Sequence, residues 1–140
     1  YPGYEYLTEE LIDKIKEKDL EEQVVYNGYV DNTPVWMASI DILVLPSLQP
    51  DPLPIVVLEA MSAGKTVLAT AQGGALEMVE EKKTGFFMPL NDANAGAKIL
   101  SSMIEDAATR KEMEKNARER VARLFSAERF EDVWRQSLNS

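Results

Sequence analysis

The sequence predicts an α/β domain built on a doubly wound, Rossmann-like parallel sheet, and three observations predict it. The run Ile42-Leu43-Val44-Leu45 is apolar at every position. A continuous run, unlike an alternating one, marks a parallel strand covered by helices on both sides. Strand-like and helix-like segments then alternate, β-α four times, as such sheets require. Finally, Pro46 to Gly64 leads from a strand through a proline-broken loop into a short, nearly all-apolar helix. In an open α/β sheet a ligand lies there, beyond the carboxyl ends of the strands and against helix N-termini.

Taken in order, residues 1–7 are rich in aromatics, Pro and Gly and read as a loop. Thr8 is placed as an N-cap, Glu9 and Glu10 suit a first turn, and Leu11, Ile12 and Ile15 form an apolar stripe up to about Lys18. Val24-Val25-Tyr26-Asn27 reads as a short buried strand ending at Gly28. Thr33-Pro34 is an N-cap followed by proline at the first helical position, opening a helix through Ser39. After the strand Ile42 to Leu45, the central helix begins near Pro54, Gly64 is its C′ residue, and Thr66 to Thr70 is a third strand. Gln72-Gly73-Gly74 forms a loop whose backbone can approach a ligand closely, with a helix following from about Ala75 to Glu81. Thr84-Gly85 turns into a fourth strand, Gly85 to Met88, stopped by Pro89. Asp92 caps a helix with Ala97, Leu100, Met103 and Ile104 inward. Thr109 and Glu112 have the capping-box spacing and open a charged helix to Leu124; Ser126 caps a last one to about Leu138, so 109–138 are the final helices.

Composition narrows the function classes. With 140 residues, 45% of them hydrophobic, the chain is expected to be a single domain, too short for two. A formal charge of -9 argues against a nucleic-acid or anionic-membrane partner, since both need clustered Lys and Arg. The absence of Cys and His excludes a disulfide framework and leaves only carboxylates for a metal, so no metal site is expected. No apolar run is long enough to span a bilayer, and the opening Tyr1-Pro2-Gly3-Tyr4 has neither a basic nor an apolar leader region. The expectation is an N-terminally truncated piece of a longer cytoplasmic protein.

Two carboxylates stand out. Glu59 has Ile55, Val56, Ser62 and Ala63 one turn away, with no Lys or Arg among them. It therefore either faces solvent on a half-exposed helix or sits at the edge of a cleft with a polar partner from elsewhere. Asp51 lies eight positions earlier, between two prolines. It is either a turn-forming residue or, at the helix mouth, an acceptor for a polyol, while the N–H groups of Ile55 and Val56 could face a phosphate. Lys65 reads as an exposed loop lysine beyond the helix C-terminus.

Gly28-Tyr29-Val30, Ala38-Ser39-Ile40-Asp41-Ile42-Leu43-Val44-Leu45-Pro46-Ser47, the pair Asp51 and Glu59 before Ala60-Met61, Gly64 to Thr70, Gly73-Gly74, Glu77 and Thr84-Gly85 occur in one order. That series resembles the donor-binding domain of retaining GT-B glycosyltransferases, the family of glycogen and sucrose synthases and many bacterial polysaccharide and lipid glycosyltransferases. The match is strong over about residues 24–90 and weak at Phe125-Ser126 and the helix through Trp134. The resemblance implies half of a GT-B fold and transfer of a glycosyl group from a nucleotide-diphosphate sugar. It implies catalytic roles for Asp51 on the donor-sugar hydroxyls and Glu59 on the ribose. It further implies donor binding by backbone of Leu53, Pro54, Ile55 and Val56, base binding by backbone near Tyr29 and Val30, and a donor-side place for Gly73 and Gly74. Retention without a protein nucleophile, no bound metal and no cofactor beyond the donor are also implied. The acceptor, a sugar or lipid, would be held by an absent N-terminal domain, through which any peripheral membrane association would go.

The chain departs from that pattern at the loop. The family usually has Glu at the first acid, then an aromatic residue and a Gly, where this sequence has Asp51, Leu53 and Pro54. Pro54 has no N–H to donate. The Arg and Lys that clamp the diphosphate in the family belong to the first strand and helix of the domain, and nothing here matches them. The four strands found would be numbers 3 to 6 of a sheet ordered 3-2-1-4-5-6, leaving strands 1 and 2 absent. Alone, the fragment is expected to be inactive. Two further readings keep the fold: a non-catalytic interaction or regulatory module, and a nucleotide-sugar epimerase.

Overall fold

The structure, a computed structural model, describes residues 5–138, in two compact units that divide between Asn32 and Thr33. The smaller unit holds helix α1 (Glu5–Glu17). The loop expected over 1–7 lies outside the described residues at 1–4 and is already helical from Glu5. Thr8 is consequently inside α1 and not its cap, with its hydroxyl 3.3 Å from the Tyr26 hydroxyl. The chain leaves the helix through Asp19 at φ 54, with the Leu20 amide donating to Ile15 O. Val24 to Asn27 form no strand, and Val25 is 72% exposed. A β-prone sequence becomes a strand only beside a partner offering N–H and C=O groups, and among the described residues this segment has none.

The larger unit runs α2 (Thr33–Ser39), β1 (Ile42–Leu45), α3 (Ile55–Ser62), β2 (Thr66–Thr70), α4 (Ala75–Met78), β3 (Gly85–Met88), α5 (Ala93–Glu105), α6 (Ala107–Leu124) and α7 (Ala127–Leu138). Its three strands form one parallel sheet in the order β1-β2-β3, with Leu43 opposite Val67 and Val67 opposite Gly85. Every residue of β2 is buried, Thr66 and Thr70 at its ends as well as the apolar Val67, Leu68 and Ala69 between them. β1 is an edge among the described residues, and its Val44 is 39% exposed.

Helix α3 is the inner layer. Val57, Ala60 and Met61 repeat at helical spacing, are fully buried, and pack with Val67, Ala69, Met78 and Ala117. The helix ends where Gly64 takes φ 68: the Gly64 amide donates to Met61 O and the Lys65 amide to Ala60 O, at 3.0 and 2.8 Å. That is a Schellman ending, as the sequence predicts. The Arg118 guanidinium lies over this glycine, so a Cβ there would come within 2.1 Å of Arg118 Cζ.

The start of α6 and the end of α4 differ from expectation. Asp92 caps α5 as predicted, its side chain accepting from the Ala95 amide. At α6 the cap is Asp106 and not Thr109; its carboxylate accepts from both the amide and the hydroxyl of Thr109. An earlier Asp simply wins the start, leaving Thr109 inside the first turn. On α5, Gly96, Ile99, Leu100 and Met103 form the inner stripe at i, i+3, i+4 and i+7, packed on Leu68, Phe86 and Met88. Ala97 and Ile104 fall one residue off that stripe and are exposed. α4 is also shorter than the expected Ala75 to Glu81. Arg120 of α6 closes it, donating from Nε to Met78 O and from Nη2 to Glu77 O at 2.7 and 2.8 Å.

Two predictions follow from this packing. The Thr66 hydroxyl is fully buried and has no hydrogen-bond partner among the described residues, so Thr66→Val should stabilise the chain by about 1 kcal/mol in urea unfolding; a loss of that size would show that the hydroxyl is paired. Hydrogen bonds from Thr109 hold the Asp106 carboxyl below its usual range, and the Lys83 side chain does the same for Glu80. A depressed folded-state value means stability that is present above the unfolded carboxylate range and lost as pH falls through the folded one. Glu80→Gln with Asp106→Asn should therefore flatten the acid limb of urea midpoints between about pH 5 and pH 2, while an unchanged limb would contradict it.

Candidate functional site

Three loops leave the carboxyl ends of the parallel strands, at 46–54, 71–74 and 89–92. The first two are joined. The Thr70 hydroxyl donates to Leu45 O at 3.4 Å, Gln72 Nε2 to Ser47 O at 2.6 Å, and the Gly74 amide to Asp51 O at 2.8 Å. Gly73 sits at φ 57, where a Cβ would lie 2.4 Å from Asp51 O, and a Cβ on Gly74 would lie 2.2 Å from Pro52 O. The close approach that the Gly-Gly pair was expected to offer a ligand is thus made to the β1–α3 loop itself.

Within that loop Asp51 is exposed, and its Oδ1 accepts from the Leu53 amide at 2.8 Å, an Asx turn. The turn occupies the Leu53 donor; the Leu53 side chain is 53% exposed. Pro54 is buried at the cap position with ψ 90, so it precedes the first helical residue instead of filling that position. The first amide of α3 with a partner is that of Val57, bonded to Pro54 O. Among the described residues the amides of Ile55 and Val56 have none. Two unpaired N–H groups at the positive end of a helix dipole are anion-seeking groups.

Glu59 follows one turn along α3, about 6 Å further along the axis than Ile55. It is exposed, its carboxylate forms no ion pair or hydrogen bond among the described residues, and it borders a groove of about 560 Å³ between α2 and α3. Thr33, Met37 and Ala38 line the α2 side, Leu58, Glu59 and Ser62 the α3 side, and no Lys or Arg lines it. It shows a feature of each reading the sequence left open: it is solvent-exposed, and it borders a groove without a polar partner from elsewhere. Lys65, expected to be exposed, is half-buried and donates from Nζ to Ala38 O at 2.9 Å, a cation at the negative end of α2.

The structure therefore gathers Asp51, Leu53, Pro54, Ile55 and Val56 with Gly73 and Gly74, and puts Glu59 next along the same helix. Asp51 and Glu59 do not bond to each other. Tyr29, 90% exposed, and Val30, half-buried, belong to the smaller unit. Sequence reasoning missed Gln72 and Arg120, whose partners lie 25 and 42 residues away. No short-range pattern signals such bonds, although a polar residue before Gly-Gly at a strand end hints at Gln72. Among the described residues no helix is long and apolar enough to cross a membrane.

Fold and loop arrangement define a doubly wound α/β domain of the kind that forms one half of GT-B glycosyltransferases. The chain belongs to the glycosyl transferases group 1 family, whose model matches residues 3–120. It is 28% identical over 128 residues to the N-acetyl-alpha-D-glucosaminyl L-malate synthase of Bacillus anthracis, a match over 91% of this chain and 33% of that protein. Anabaena HepE, solved in complex with UDP, superposes with a TM-score of 0.94 at 29% identity, over 99% of this chain and 38% of HepE. Sucrose-phosphate synthase from Thermosynechococcus elongatus gives 0.83 at 31% identity, over 92% and 34%. The chain thus spans about a third of the length of the relatives it matches.

The loop geometry makes a contrast testable. Asp51→Asn keeps the acceptor of the Asx turn and should leave stability within about 0.5 kcal/mol, whereas Gly74→Ala, forced against Pro52 O, should cost on the order of 2 kcal/mol in urea unfolding. Equal effects would contradict the interlocked loops.

Proposed function

We propose that the chain supplies the donor site of a retaining glycosyltransferase that moves a sugar from a nucleoside diphosphate to an acceptor. The observation that carries this is the pairing, on one helix, of two unpaired N-terminal amides with a partnerless carboxylate at a cleft edge, in a family whose member HepE was solved with UDP. The amides of Ile55 and Val56 face the diphosphate, and Glu59 accepts hydrogen bonds from the ribose hydroxyls. Asp51 accepts from a donor-sugar hydroxyl with the oxygen that Leu53 leaves free.

In this reading the bond between the anomeric carbon and the diphosphate oxygen breaks as the acceptor hydroxyl bonds to the same face, and the acceptor proton passes to the departing phosphate oxygen. Charge grows on the diphosphate, where the α3 amides are already oriented, so they bind the leaving group more tightly than the ground state. No protein nucleophile, metal or cofactor is required. The acceptor would be held by a further domain.

A second reading, a non-catalytic module that keeps the fold, is favoured by one observation: the Leu53 amide is occupied and Pro54 has none, so the loop offers the donor few groups. Calorimetric titration with UDP, GDP, ADP and their sugars separates the two. At least one nucleoside diphosphate should bind, and Glu59→Ala should weaken it about tenfold, near 1.4 kcal/mol. Absence of binding, or binding indifferent to Glu59→Ala, would overturn the donor-site reading.

A further inference from the structure

We propose that Gln72 is a positioning residue that sets the donor-sugar side of the site through the β1–α3 loop, an inference that rests on the donor-site reading above. The loop from 46 to 54 contains Pro46, Pro50, Pro52 and Pro54, so many of its residues have no N–H to brace it from within. One amide that remains, that of Leu53, is spent on Asp51. The loop is held instead through its carbonyls, from one neighbouring segment.

Thr70, Gln72 and Gly74 donate in turn to Leu45 O, Ser47 O and Asp51 O. The three bonds follow on from the β1·β2 ladder, whose last pair is Leu45 opposite Ala69, but the segment that makes them is turned and not extended, with Gly73 at φ 57. Beyond Thr70 the ladder cannot be continued by backbone alone, because the Gln72 amide turns back to Thr70 O at 2.8 Å. The Gln72 side chain takes its place, and at 2.6 Å it is a closer bond than the 3.4 Å contact from Thr70. Gln72 is half-buried, which favours a persistent bond over one exchanged with water. Loss of this bond leaves the stretch from Ser47 to Asp51 held only at its far end, by the Gly74 amide, whereas Glu59 and the α3 amides, on a helix anchored by its own buried face, stay in place.

The test compares Gln72→Met, which keeps length and loses the donor, with Gln72→Lys, which keeps a donor. Amide hydrogen exchange at Leu53 and Gly74, whose amides are bonded to Asp51, should rise about tenfold in Gln72→Met and be largely restored in Gln72→Lys, with α3 exchange unchanged. UDP-glucose should bind Gln72→Met about fivefold more weakly than the parent chain while UDP affinity changes less than about twofold. Unchanged loop exchange, or equal loss of UDP and UDP-glucose, would overturn the positioning role. If the parent chain binds neither nucleotide the donor-site reading fails, and the exchange comparison alone then decides whether Gln72 braces the loop.

Discussion

The burial of α3 between β2 and α6 is the constraint on which the rest of the larger unit depends. Val57, Ala60 and Met61 leave that helix one way to lie, and Gly64 under Arg118 fixes where it stops. Burial of three such side chains stabilises by roughly 1–3 kcal/mol each, more than any single polar contact at the surface. With the buried face settled, the exposed face is settled as well. Glu59 must then point at the α2–α3 groove, and the helix N-terminus must open among the loops at the carboxyl end of the sheet.

The polar interactions divide into two kinds. Those of α6 and its surroundings close helix ends: Arg110 donates to Met103 O and Ile104 O at the end of α5, and Arg120 does so at the end of α4. These place cations on negative helix ends, and side chains cap the positive ends of α5, α6 and α7 but not that of α3. At the opposite end, the β1–α3 loop takes its order from the β2–α4 segment, and the groups left over are the two α3 amides and the Glu59 carboxylate. The donor-site reading relies on that residue of unpaired groups, not on a cationic clamp.

Much of this was legible in the sequence, for physical reasons that differ by element. β1, β2 and β3 could be read because each is a short run of apolar, β-branched or aromatic residues bounded by turn residues, and α3 because a helix with one carboxylate among apolar residues must bury one side. The ending at Gly64 and the caps at Asp92 and Ser126 are local chemistry, written within a few residues. The segment Val24 to Asn27 failed because strand formation depends on a neighbour that no short window contains. Asp106 was passed over for Thr109 because both precede an equally good helix, and only the packed structure shows which start is used. At the site, Glu59 stands out by its lack of local cations, which a short window shows, whereas the approach of Gly73 and Gly74 to the Asp51 and Pro52 backbone joins two loops that no short window connects. Long-range bonds such as Gln72 to Ser47 have no signature in the sequence.

The central claim is that one helix presents both its free amides and its carboxylate to a nucleoside diphosphate. Two-dimensional amide NMR of the chain titrated with UDP tests it most directly, because each group reports for itself. The account predicts that the largest shifts fall on the amides of Ile55 and Val56 and on residues bordering Glu59, with α5 and α6 unmoved. Shifts confined to α5 and α6, with Ile55 and Val56 silent at saturating UDP, would contradict it.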